Sequence, residues 1–300
     1  MRVAVVSDIH GNLHALRAVL DAVASEEVDA LWCLGDVVGY GPRPNECCAE
    51  VEQAASLCLV GNHDLGVLGR LPLEDFTDDA AAAARWSHSV LTAEARDFLE
   101  RLQSLASTED VELFHASPRD PVWEYVLSDE AALAAFHLTS APVVLVGHSH
   151  VSLAFVLEDG AIDGAAVPGG AEIDLANGRF ILNPGSVGQP RDGDPRAAYL
   201  VLDLDAKRAL HRRADASPPV PRVPRATRAP PAAPRSRAGS RFAGTRRGAP
   251  SAAGPRPRRR GAGRAAAGEV RPARASATAM KPRRTMPPRG RLRLRSPPRP

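Results

Sequence analysis

Short apolar runs alternate with amphipathic helical patterns through the first 150 residues, and this rhythm limits the possible folds more than any other feature. Between the runs, apolar side chains recur at helical spacing around residues 13–24, 46–55, 78–103 and 129–138. Strands that alternate with helices are typical of a mostly parallel sheet covered by helices. The five apolar runs are Val3–Val6, Leu31–Leu34, Leu57–Val60, Val111–Phe114 and Val143–Val146.

The rhythm changes after about residue 151. Apolar runs continue, but turns rich in Gly, Pro and Asp separate them, and no long helical pattern lies between them. We therefore predict a second sheet that is rich in antiparallel strands. A domain of about 210 residues can bury one sizeable core. The predicted strands are Val151–Leu157, Ala171–Leu175, Arg179–Leu182 and Ala198–Leu204.

Composition divides the chain near residue 213. Residues 1–213 contain 15 basic and 33 acidic side chains, a net charge of −18. Residues 214–300 contain 23 basic and 2 acidic side chains, a net charge of +21, with 17 of the 27 prolines and no Ile, Trp, Tyr or Cys. Such a segment cannot bury enough apolar surface to offset its ordering entropy. We predict a folded domain over 1–213 and a disordered tail over 214–300.

The origin of this basic tail is open between two readings. A basic tail can bind RNA, DNA or acidic surfaces. A GC-rich gene translated out of frame would also give this mixture of Arg, Pro, Ala and Gly, and the whole chain contains only two lysines, Lys207 and Lys281. The tail has no aromatic pattern or repeat, which argues against selection for nucleic-acid binding. We expect no nucleic-acid partner except through this basic tail.

Several classes of protein are excluded by features that the sequence lacks. No apolar run approaches the roughly 20 residues of a transmembrane helix, so we expect no membrane partner. The apolar start of the chain reaches Ser7 and Asp8 too early for a secretory signal peptide, and we expect a cytoplasmic protein. The four cysteines form no Cys-x-x-Cys pair, which favours reduced thiols over disulfides or a thiolate zinc site.

Each of the five early apolar runs ends in polar residues of the kind that bind metals. The carboxyl ends of strands in an open α/β sheet meet in one crevice, where ligands bind. At two of these ends, the i, i+2 spacing of Asp8 with His10 and of His148 with His150 directs both side chains to the same side of an extended backbone. The polar ends are Ser7–Asn12, Gly35–Asp36, Gly61–Asp64, His115 and Gly147–His150.

Metal ions explain such a convergence better than five unrelated turns do. Without a cation, clustered carboxylates repel one another and buried histidines lose solvation. Oxygen and nitrogen ligands suit Mn, Fe, Zn, Co or Ni and disfavour soft thiolate metals. Seven candidate ligands exceed the need of one catalytic ion with an open position, and they suit two ions about 3.5–4 Å apart.

Taken together, these motifs resemble the calcineurin-like metallophosphoesterase superfamily. The motifs are Asp-x-His, Gly-Asp, Gly-Asn-His-Asp, a later His and Gly-His-x-His, in this order. Residues 1–213 are most similar to the small bacterial and archaeal phosphodiesterases of the YfcE-like kind. The resemblance implies an α/β fold, a four-layer α-β-β-α sandwich of two mixed sheets, with a metal site along one edge. Longer similar stretches are Ser7–Leu16, Gly35–Pro42, His115–Pro121 and Asn183–Arg191.

The resemblance also implies a role for each residue of the site. His63 would protonate the leaving-group oxygen or stabilise the transition state, and Asp64 would orient it. Two divalent ions are the expected cofactors, with Mn favoured and Fe, Zn, Ni or Co as alternatives. Asp8, His10 and His150 would bind the first ion, Asn62, His115 and His148 would bind the second, and Asp36 would bridge them.

Residues outside the metal set are candidate substrate contacts. Asn12 stands at a helix start, where it can bind substrate or serve as an N-cap. Arg119 and Arg191 lie in loops of an acidic domain, where an arginine binds phosphate or remains a solvated charge. Trp123 and Tyr125 can stack on a nucleobase or pack the loop that contains them.

The expected function is that of a metal-dependent phosphoesterase, a hydrolase of phosphodiesters or dinucleoside polyphosphates, with a phosphoester or nucleotide as its small-molecule substrate. A phosphomonoesterase, including a protein phosphatase, is the alternative, because the resemblance implies the same dimetal core for it. A scaffold that has lost catalysis is a further alternative. The presence of His63 and all seven candidate ligands argues against the scaffold.

Overall fold

The described part of the chain forms two β-sheets and six α-helices. A computed structural model describes residues 1–216, 292 and 294–295. The strands are β1 (Arg2–Val6), β2 (Ala30–Cys33), β3 (Leu57–Cys58), β4 (Leu105–Ser107), β5 (Val111–Phe114), β6 (Val143–Leu145), β7 (Ser152–Glu158), β8 (Ala161–Ala166), β9 (Glu172–Asp174), β10 (Arg179–Pro184), β11 (Ala197–Asp203), β12 (Arg208–Ala214) and β13 (Leu294–Arg295). The helices are α1 (Leu13–Val23), α2 (Pro44–Ala54), α3 (Asn62–Val67), α4 (Asp78–Val90), α5 (Ala93–Arg101) and α6 (Asp129–Phe136). None of them is long and apolar enough to cross a bilayer.

Both sheets are mixed. Within the described residues, the first sheet has the strand order β13-β9-β12-β11-β1-β2-β3, and the second has the order β4-β5-β6-β10-β7-β8. Strands β1, β2 and β3 are parallel to one another, as are β5, β6 and β10. The remaining pairs are antiparallel. The carboxyl ends of two sets of parallel strands are therefore available to carry the site.

Three apolar clusters define the four layers of the fold. One cluster joins residues of both sheets and shows that the sheets pack face to face. A second lies between the first sheet and helices α1, α2 and α5. The third lies between the second sheet and α6, where Phe136 contacts the cluster that contains Val144 and Ile181. Full burial of one such aliphatic or aromatic side chain contributes about 1.5–3 kcal/mol. The α-β-β-α sandwich implied by the resemblance is confirmed.

The partition of strands between the sheets differs from the prediction. We expected the early strands to form one mostly parallel sheet and the strands after residue 151 to form another. Instead, β11 pairs with β1 and β10 pairs with β6, so the late strands contribute to both sheets. The physical reason is burial, since β10 and β11 are buried along almost their whole length and therefore occupy interior positions.

The helical pattern predicted around residues 78–103 corresponds to two helices. Helix α4 ends at Val90, and Thr92 begins α5 as its N-cap by accepting a hydrogen bond from the Ala95 N–H (3.3 Å). A threonine oxygen satisfies an amide at the first turn that has no partner within the helix. The apolar periodicity continues on both sides of the break and does not reveal it.

The predicted domain boundary at residue 213 falls one residue before the end of β12 at Ala214. Most of the tail predicted to be disordered lies outside the described residues, and so does the proposed change of reading frame. Within the described part of the tail, Leu294–Arg295 form the short strand β13 beside β9. The Leu292 backbone N–H donates a hydrogen bond to the Asp163 carboxylate (2.7 Å).

Candidate metal centre

The polar ends of five strands converge at one edge of the sandwich, as the sequence predicts. They follow β1, β2 and β3 in the first sheet and β5 and β6 in the second. All seven predicted metal ligands are buried, with no more than 4 % of any one exposed. These ligands are Asp8, His10, Asp36, Asn62, His115, His148 and His150.

The backbone at this edge has positive φ values, a conformation that residues other than glycine rarely adopt. Positive φ values cost free energy and concentrate at functional sites, where the surrounding structure imposes them. Hydrogen bonds from the Asp8 N–H to the Gly35 carbonyl (3.0 Å) and from the His10 N–H to the Asp36 carbonyl (2.9 Å) help to hold this backbone. The residues concerned are Asp8 (φ 55°), His10 (50°), Asp36 (55°), Tyr40 (54°), His148 (61°) and His150 (60°).

Each of the two central carboxylates has one anchored oxygen and one without a partner. Asp8 accepts the His148 backbone N–H through Oδ2 (3.1 Å), and Asp36 accepts the His63 backbone N–H through Oδ1 (2.8 Å). The other oxygens, Asp8 Oδ1 and Asp36 Oδ2, are buried and have no hydrogen-bond partner. A buried carboxylate oxygen with no donor is costly unless a cation satisfies it.

Both orphaned oxygens point at imidazole nitrogens. Asp8 Oδ1 lies 3.3 Å from His150 Nε2 and 3.9 Å from His10 Nε2. Asp36 Oδ2 lies 3.7 Å from His10 Nε2 and 3.5 Å from His115 Nε2. Asp36 therefore stands between the two groups of candidate ligands, where a bridging carboxylate would lie.

Backbone carbonyls fix the tautomers of the histidines. Three rings bond a carbonyl oxygen through Nδ1, which must carry the proton, and the lone pair is then left on Nε2. These bonds are His10 to Val38 (3.2 Å), His115 to Leu34 (2.9 Å) and His150 to Gln189 (2.7 Å).

His148 has the opposite orientation. Its Nε2 bonds the Trp123 carbonyl (3.1 Å), which leaves the Nδ1 lone pair for a ligand. The sequence predicts His148 as a ligand, but it does not predict which ring nitrogen faces the site. The Trp123 carbonyl decides this, and it lies 25 residues away along the chain.

The resulting lone pairs face other acceptors. His10 Nε2 and His150 Nε2 lie 3.1 Å apart, and His115 Nε2 lies 3.1 Å from Asn62 Oδ1. Two acceptors at this separation repel each other unless a positive charge lies between them. The donor set and its geometry therefore fit metal ions, and the nitrogen and oxygen ligands suit a transition metal.

Electrostatics at the site lead to the same conclusion. Burial raises the pKa of Asp36 well above its ordinary range, and the nearby carboxylates of Asp64 and Asp8 raise it further. Burial lowers the pKa of His148 to about 2 and that of His150 to about 3. The imidazoles are thus neutral, as metal ligands must be, while the carboxylates need positive charge to remain ionised.

The candidate ligand atoms fall into compact groups. Asp8, His10 and His150 form one group, and Asp36, His115 and His148 form another, each with its ligand atoms within 4.8 Å of one another. A third group, His10 with Asp36 and His63, lies between them. The first two groups correspond to the two ion sites implied by the resemblance.

His63 and Asp64 lie in the site, but they do not form the predicted pair. His63 is 6 % exposed, and its buried Nδ1 has no hydrogen-bond partner. Asp64 accepts backbone N–H bonds from Asp36 (2.8 Å), Val38 (3.0 Å) and Gly61 (3.0 Å). Both carboxylate oxygens are thus engaged with the backbone, so Asp64 holds the loops that present Asp36 and His63 rather than orienting the His63 ring.

Glycine is required where these loops approach each other. A side chain at Gly61 would overlap the Asp36 carboxylate, and a side chain at Gly147 would overlap Ser7. The Gly-Asn-His-Asp and Gly-His-x-His motifs therefore begin with glycine for steric reasons, apart from any chemistry of their own.

The three predicted substrate contacts have different environments. The Asn12 side chain accepts the Ala15 N–H (3.2 Å) and is thus the N-cap of α1. It also donates a hydrogen bond to the Gly188 carbonyl (3.0 Å). Arg119 is ion-paired with Glu124. Arg191 is exposed; its guanidinium donates a hydrogen bond to Gln189 Oε1 (2.7 Å), and its backbone N–H donates to the His150 carbonyl (3.1 Å) beside the site.

The end of β10 and the loop after it support the site through two side chains to which the sequence analysis gave no role. Ser186 donates its hydroxyl to the Asp8 carbonyl (2.8 Å), and Asn183 donates to the Gly147 carbonyl (2.6 Å). Both side chains are fully buried. The Asn-Pro-Gly-Ser sequence at the end of a buried strand was the available signal for this role.

The fold and the site together define the class of protein. Two mixed sheets lie between helices, and a buried cluster of imidazoles and carboxylates lies at the ends of their parallel strands. Residues 1–207 match the calcineurin-like phosphoesterase superfamily domain, and the chain belongs to this family. It is accordingly a hydrolase of phosphoesters.

Several known proteins are similar to this chain. The uncharacterized protein MJ0912 of Methanocaldococcus jannaschii is 38 % identical over 207 residues, which cover 67 % of this chain and 82 % of that protein. Phosphodiesterase YfcE of Escherichia coli is 28 % identical over 207 residues, 68 % of this chain and 89 % of YfcE. The crystal structure of a metallophosphoesterase from Sphaerobacter thermophilus is 40 % identical, with a TM-score of 0.65, and the match covers 72 % of this chain and 88 % of that one. A 66-residue segment is 39 % identical to the symmetrical bis(5'-nucleosyl)-tetraphosphatase of Pseudomonas fluorescens, 21 % of this chain and 23 % of that protein.

Proposed function

We propose that this protein hydrolyses phosphodiesters or dinucleoside polyphosphates with two divalent metal ions bound at the candidate centre. The observation that carries the proposal is the set of facing acceptors. His10 and His150 present lone pairs to each other at 3.1 Å, beside carboxylate oxygens that have no donor. Metal ions satisfy all of these atoms together.

The proposed ion sites follow the two groups of ligands. Asp36 would contribute to both sites, because its free oxygen is almost equidistant from His10 Nε2 (3.7 Å) and His115 Nε2 (3.5 Å). Mn is the favoured metal, and Fe, Zn, Ni or Co would suit the same nitrogen and oxygen donors. Asp8, His10 and His150 hold the first ion, and Asn62, His115 and His148 hold the second.

Two ions held by these residues would neutralise the phosphoryl oxygens and make a bound water acidic enough to supply hydroxide near neutral pH. The protein's own contribution to bond cleavage is His63. Its ring lies next to His10 (4.8 Å between centroids) and beside Asp36, which would place it next to a phosphoryl group bound at the centre. Burial lowers the pKa of His63 to about 3, so the ring is neutral in the absence of substrate.

The neutral ring would have to take up a proton from solvent when substrate binds before it could give a proton to the departing oxygen. A phosphate anion beside the ring favours its charged form and raises its pKa toward that of a proton donor. General acid assistance of this kind is typically worth about 10²–10⁴-fold in rate. Arg191 would supply a fixed positive charge at the rim for a further phosphate of a longer substrate.

The substrate class rests on two kinds of support. YfcE is described as a phosphodiesterase, and the 66-residue similarity is to a bis(5'-nucleosyl)-tetraphosphatase. An activity panel on the full-length protein with Mn²⁺ tests the proposal. It compares a bis-aryl phosphate, an aryl monophosphate, a cyclic nucleotide and a diadenosine polyphosphate. Hydrolysis of the aryl monophosphate alone would refute the proposal in favour of a phosphomonoesterase, and no hydrolysis of any compound would favour a scaffold.

Two variants test the assigned roles. His63→Ala should retain both metal ions and lose about 10²–10⁴-fold in turnover, whereas Asp36→Ala should lose metal as well as activity. His137→Ala, which replaces an exposed histidine just beyond α6, is the matched control. Full activity of Asp36→Ala with normal metal content would contradict the bridging role. The expected cytoplasmic location stays a prediction.

A further inference from the structure

An aromatic rim surrounds the metal centre, and we define it as Tyr40, Phe76, Trp123 and Tyr125. Each of the nine ring–ring contacts found among the described residues includes a member of this rim or a histidine of the site. Aromatic residues make up only 4 % of the chain. The catalytic steps proposed above use none of these four rings, so their concentration at the site needs a separate explanation.

Tyr125 differs from the other three members in its exposure. Its ring stacks on His148 with centroids 4.1 Å apart and an interplanar angle of 17°. The residue is nevertheless 48 % exposed, while Tyr40, Phe76 and Trp123 are half-buried. One face of the Tyr125 ring therefore covers a candidate metal ligand, and His148 is its only ring partner in the described part of the chain.

The other rim residues are already engaged. Trp123 lies edge-on to Phe76 (5.0 Å), and Phe76 lies edge-on to His63 (5.2 Å). Tyr40 packs against His63 (4.6 Å) and lies edge-on to His10 (4.9 Å). These contacts build a wall around the centre, and they leave Tyr125 as the ring with an open face.

We propose that Tyr125 is a stacking platform for the base of a nucleotide substrate. This inference rests on the proposed function, because it places the reacting phosphate at the metal centre. The Tyr125 ring lies 4.1 Å from the ring of His148, a candidate metal ligand, so a base stacked on Tyr125 would stay close to a phosphate bound at the centre. Every nucleobase presents a flat face that can stack on such a ring, so the platform selects nucleotides over simple alkyl phosphates without selecting one base.

The alternative role for Tyr125 is to shield His148 from water. The two roles predict different binding behaviour. A shield supports the metal centre and affects every phosphate ligand equally. A platform affects only ligands that contain a base. AMP and ribose 5-phosphate separate the two roles, because they share the sugar and phosphate and differ in the base.

Calorimetric titration of the full-length, Mn²⁺-loaded protein with these two compounds tests the proposal. The wild-type protein should bind AMP more tightly than ribose 5-phosphate. Tyr125→Leu should weaken AMP binding by about 5- to 150-fold, the range found when a stacked base loses its aromatic partner, and should leave ribose 5-phosphate binding unchanged. Tyr125→Phe keeps the ring and should retain AMP binding. Trp86→Leu, which removes an exposed aromatic outside the rim, is the control and should bind both compounds as the wild type does.

Three results would overturn the platform. They are an equal affinity of the wild type for the two compounds, unchanged AMP binding in Tyr125→Leu, and an equal loss of both ligands in that variant. Metal content of Tyr125→Leu, measured alongside, identifies a shield if it falls. The hydrolysis panel on the wild type tests the proposed function independently of the binding titrations. Tyr125-dependent AMP binding without hydrolysis would uphold the platform and refute the phosphoesterase proposal, and hydrolysis without Tyr125 dependence would do the reverse.

Discussion

His211 lies on β12, away from the metal centre, and offers the sharpest test of how burial controls stability in this protein. It is 1 % exposed, and neither of its ring nitrogens has a hydrogen-bond partner. Its neighbour Ala209 belongs to the apolar cluster between the sheets, and alternation along the strand places His211 on the same face. Burial and, to a lesser extent, the charge of Arg213 lower the pKa of His211 to about 3, although the nearby Asp192 acts in the opposite direction.

The sign and size of the effect follow from proton linkage. The unfolded chain takes up a proton at this histidine near pH 6.5, while the folded chain does so only near pH 3. Protonation of His211 in the unfolded state therefore costs the fold nothing above pH 6.5 and destabilises it increasingly as the pH drops from 6.5 toward 3. At pH 5 the pH lies about 1.5 units below the unfolded-state pKa of this histidine. At about 1.36 kcal/mol per unit, protonation of the unfolded state then lowers the free energy of unfolding by about 2 kcal/mol.

His211→Leu should remove that dependence. Leucine is similar in size, and it eliminates two buried polar atoms that cost about 1–3 kcal/mol when unpaired. Urea unfolding of the wild type and the variant at pH 7 and pH 5 gives the free energy of unfolding of each. The advantage of the variant should be about 2 kcal/mol larger at pH 5 than at pH 7. His14→Leu, which replaces an exposed histidine on α1, measures the loss of a histidine at the surface.

The comparison between the two proteins matters more than the acid lability of either one. The histidines of the metal centre also lose stability in acid, but they are common to wild type and variant and cancel in the difference. An advantage that is the same at both pH values within about 0.5 kcal/mol would refute the reasoning. It would show that His211 is solvated or protonated in the folded state.

Two further substitutions test contacts that hold the site and its loops. Asp64→Asn leaves at least one backbone N–H unpaired, because only one atom of an amide group can accept a hydrogen bond. It should destabilise the protein by about 1–3 kcal/mol, measured by urea unfolding, and weaken Mn²⁺ binding, measured by metal titration. Unchanged metal affinity would contradict the positioning role. Arg213→Met leaves the carboxylate of Asp192 unpaired, because the two side chains form a nearly buried ion pair, and should lower the free energy of unfolding by about 3–5 kcal/mol. Adding Asp192→Leu should recover part of that loss. No recovery would argue against an unpaired charge as the cause.

The cluster of candidate metal ligands could be predicted from sequence because its signal is local. A residue such as Asp36 directly follows a short apolar run, and the direction of parallel strands then determines which edge it reaches. The convergence of all seven candidate ligands needed no knowledge of distant contacts beyond this rule. The sequence also identified His63 as lying within the same loop.

Properties that depend on long-range contacts could not be predicted in this way. The pairing of β11 with β1 joins residues about 200 positions apart, and no pattern within β11 names its partner. The ring nitrogen that His148 turns to the site depends on the Trp123 carbonyl. The role of Asp64 is set by three backbone amides that only the folded loops bring to it, and adjacency to His63 was a misleading guide.

The left-handed backbone at the two carboxylates has a consequence for how this protein can change over evolutionary time. Asp8 and Asp36 have φ values of 55°, a region in which asparagine is as well tolerated as aspartate and most other residues are not. A change of either residue to asparagine would keep the loop and discard the charge. A single substitution could therefore convert a catalyst of this architecture into an inactive protein with the same fold. A descendant that served only as a binding surface would still have positive φ values at these two positions.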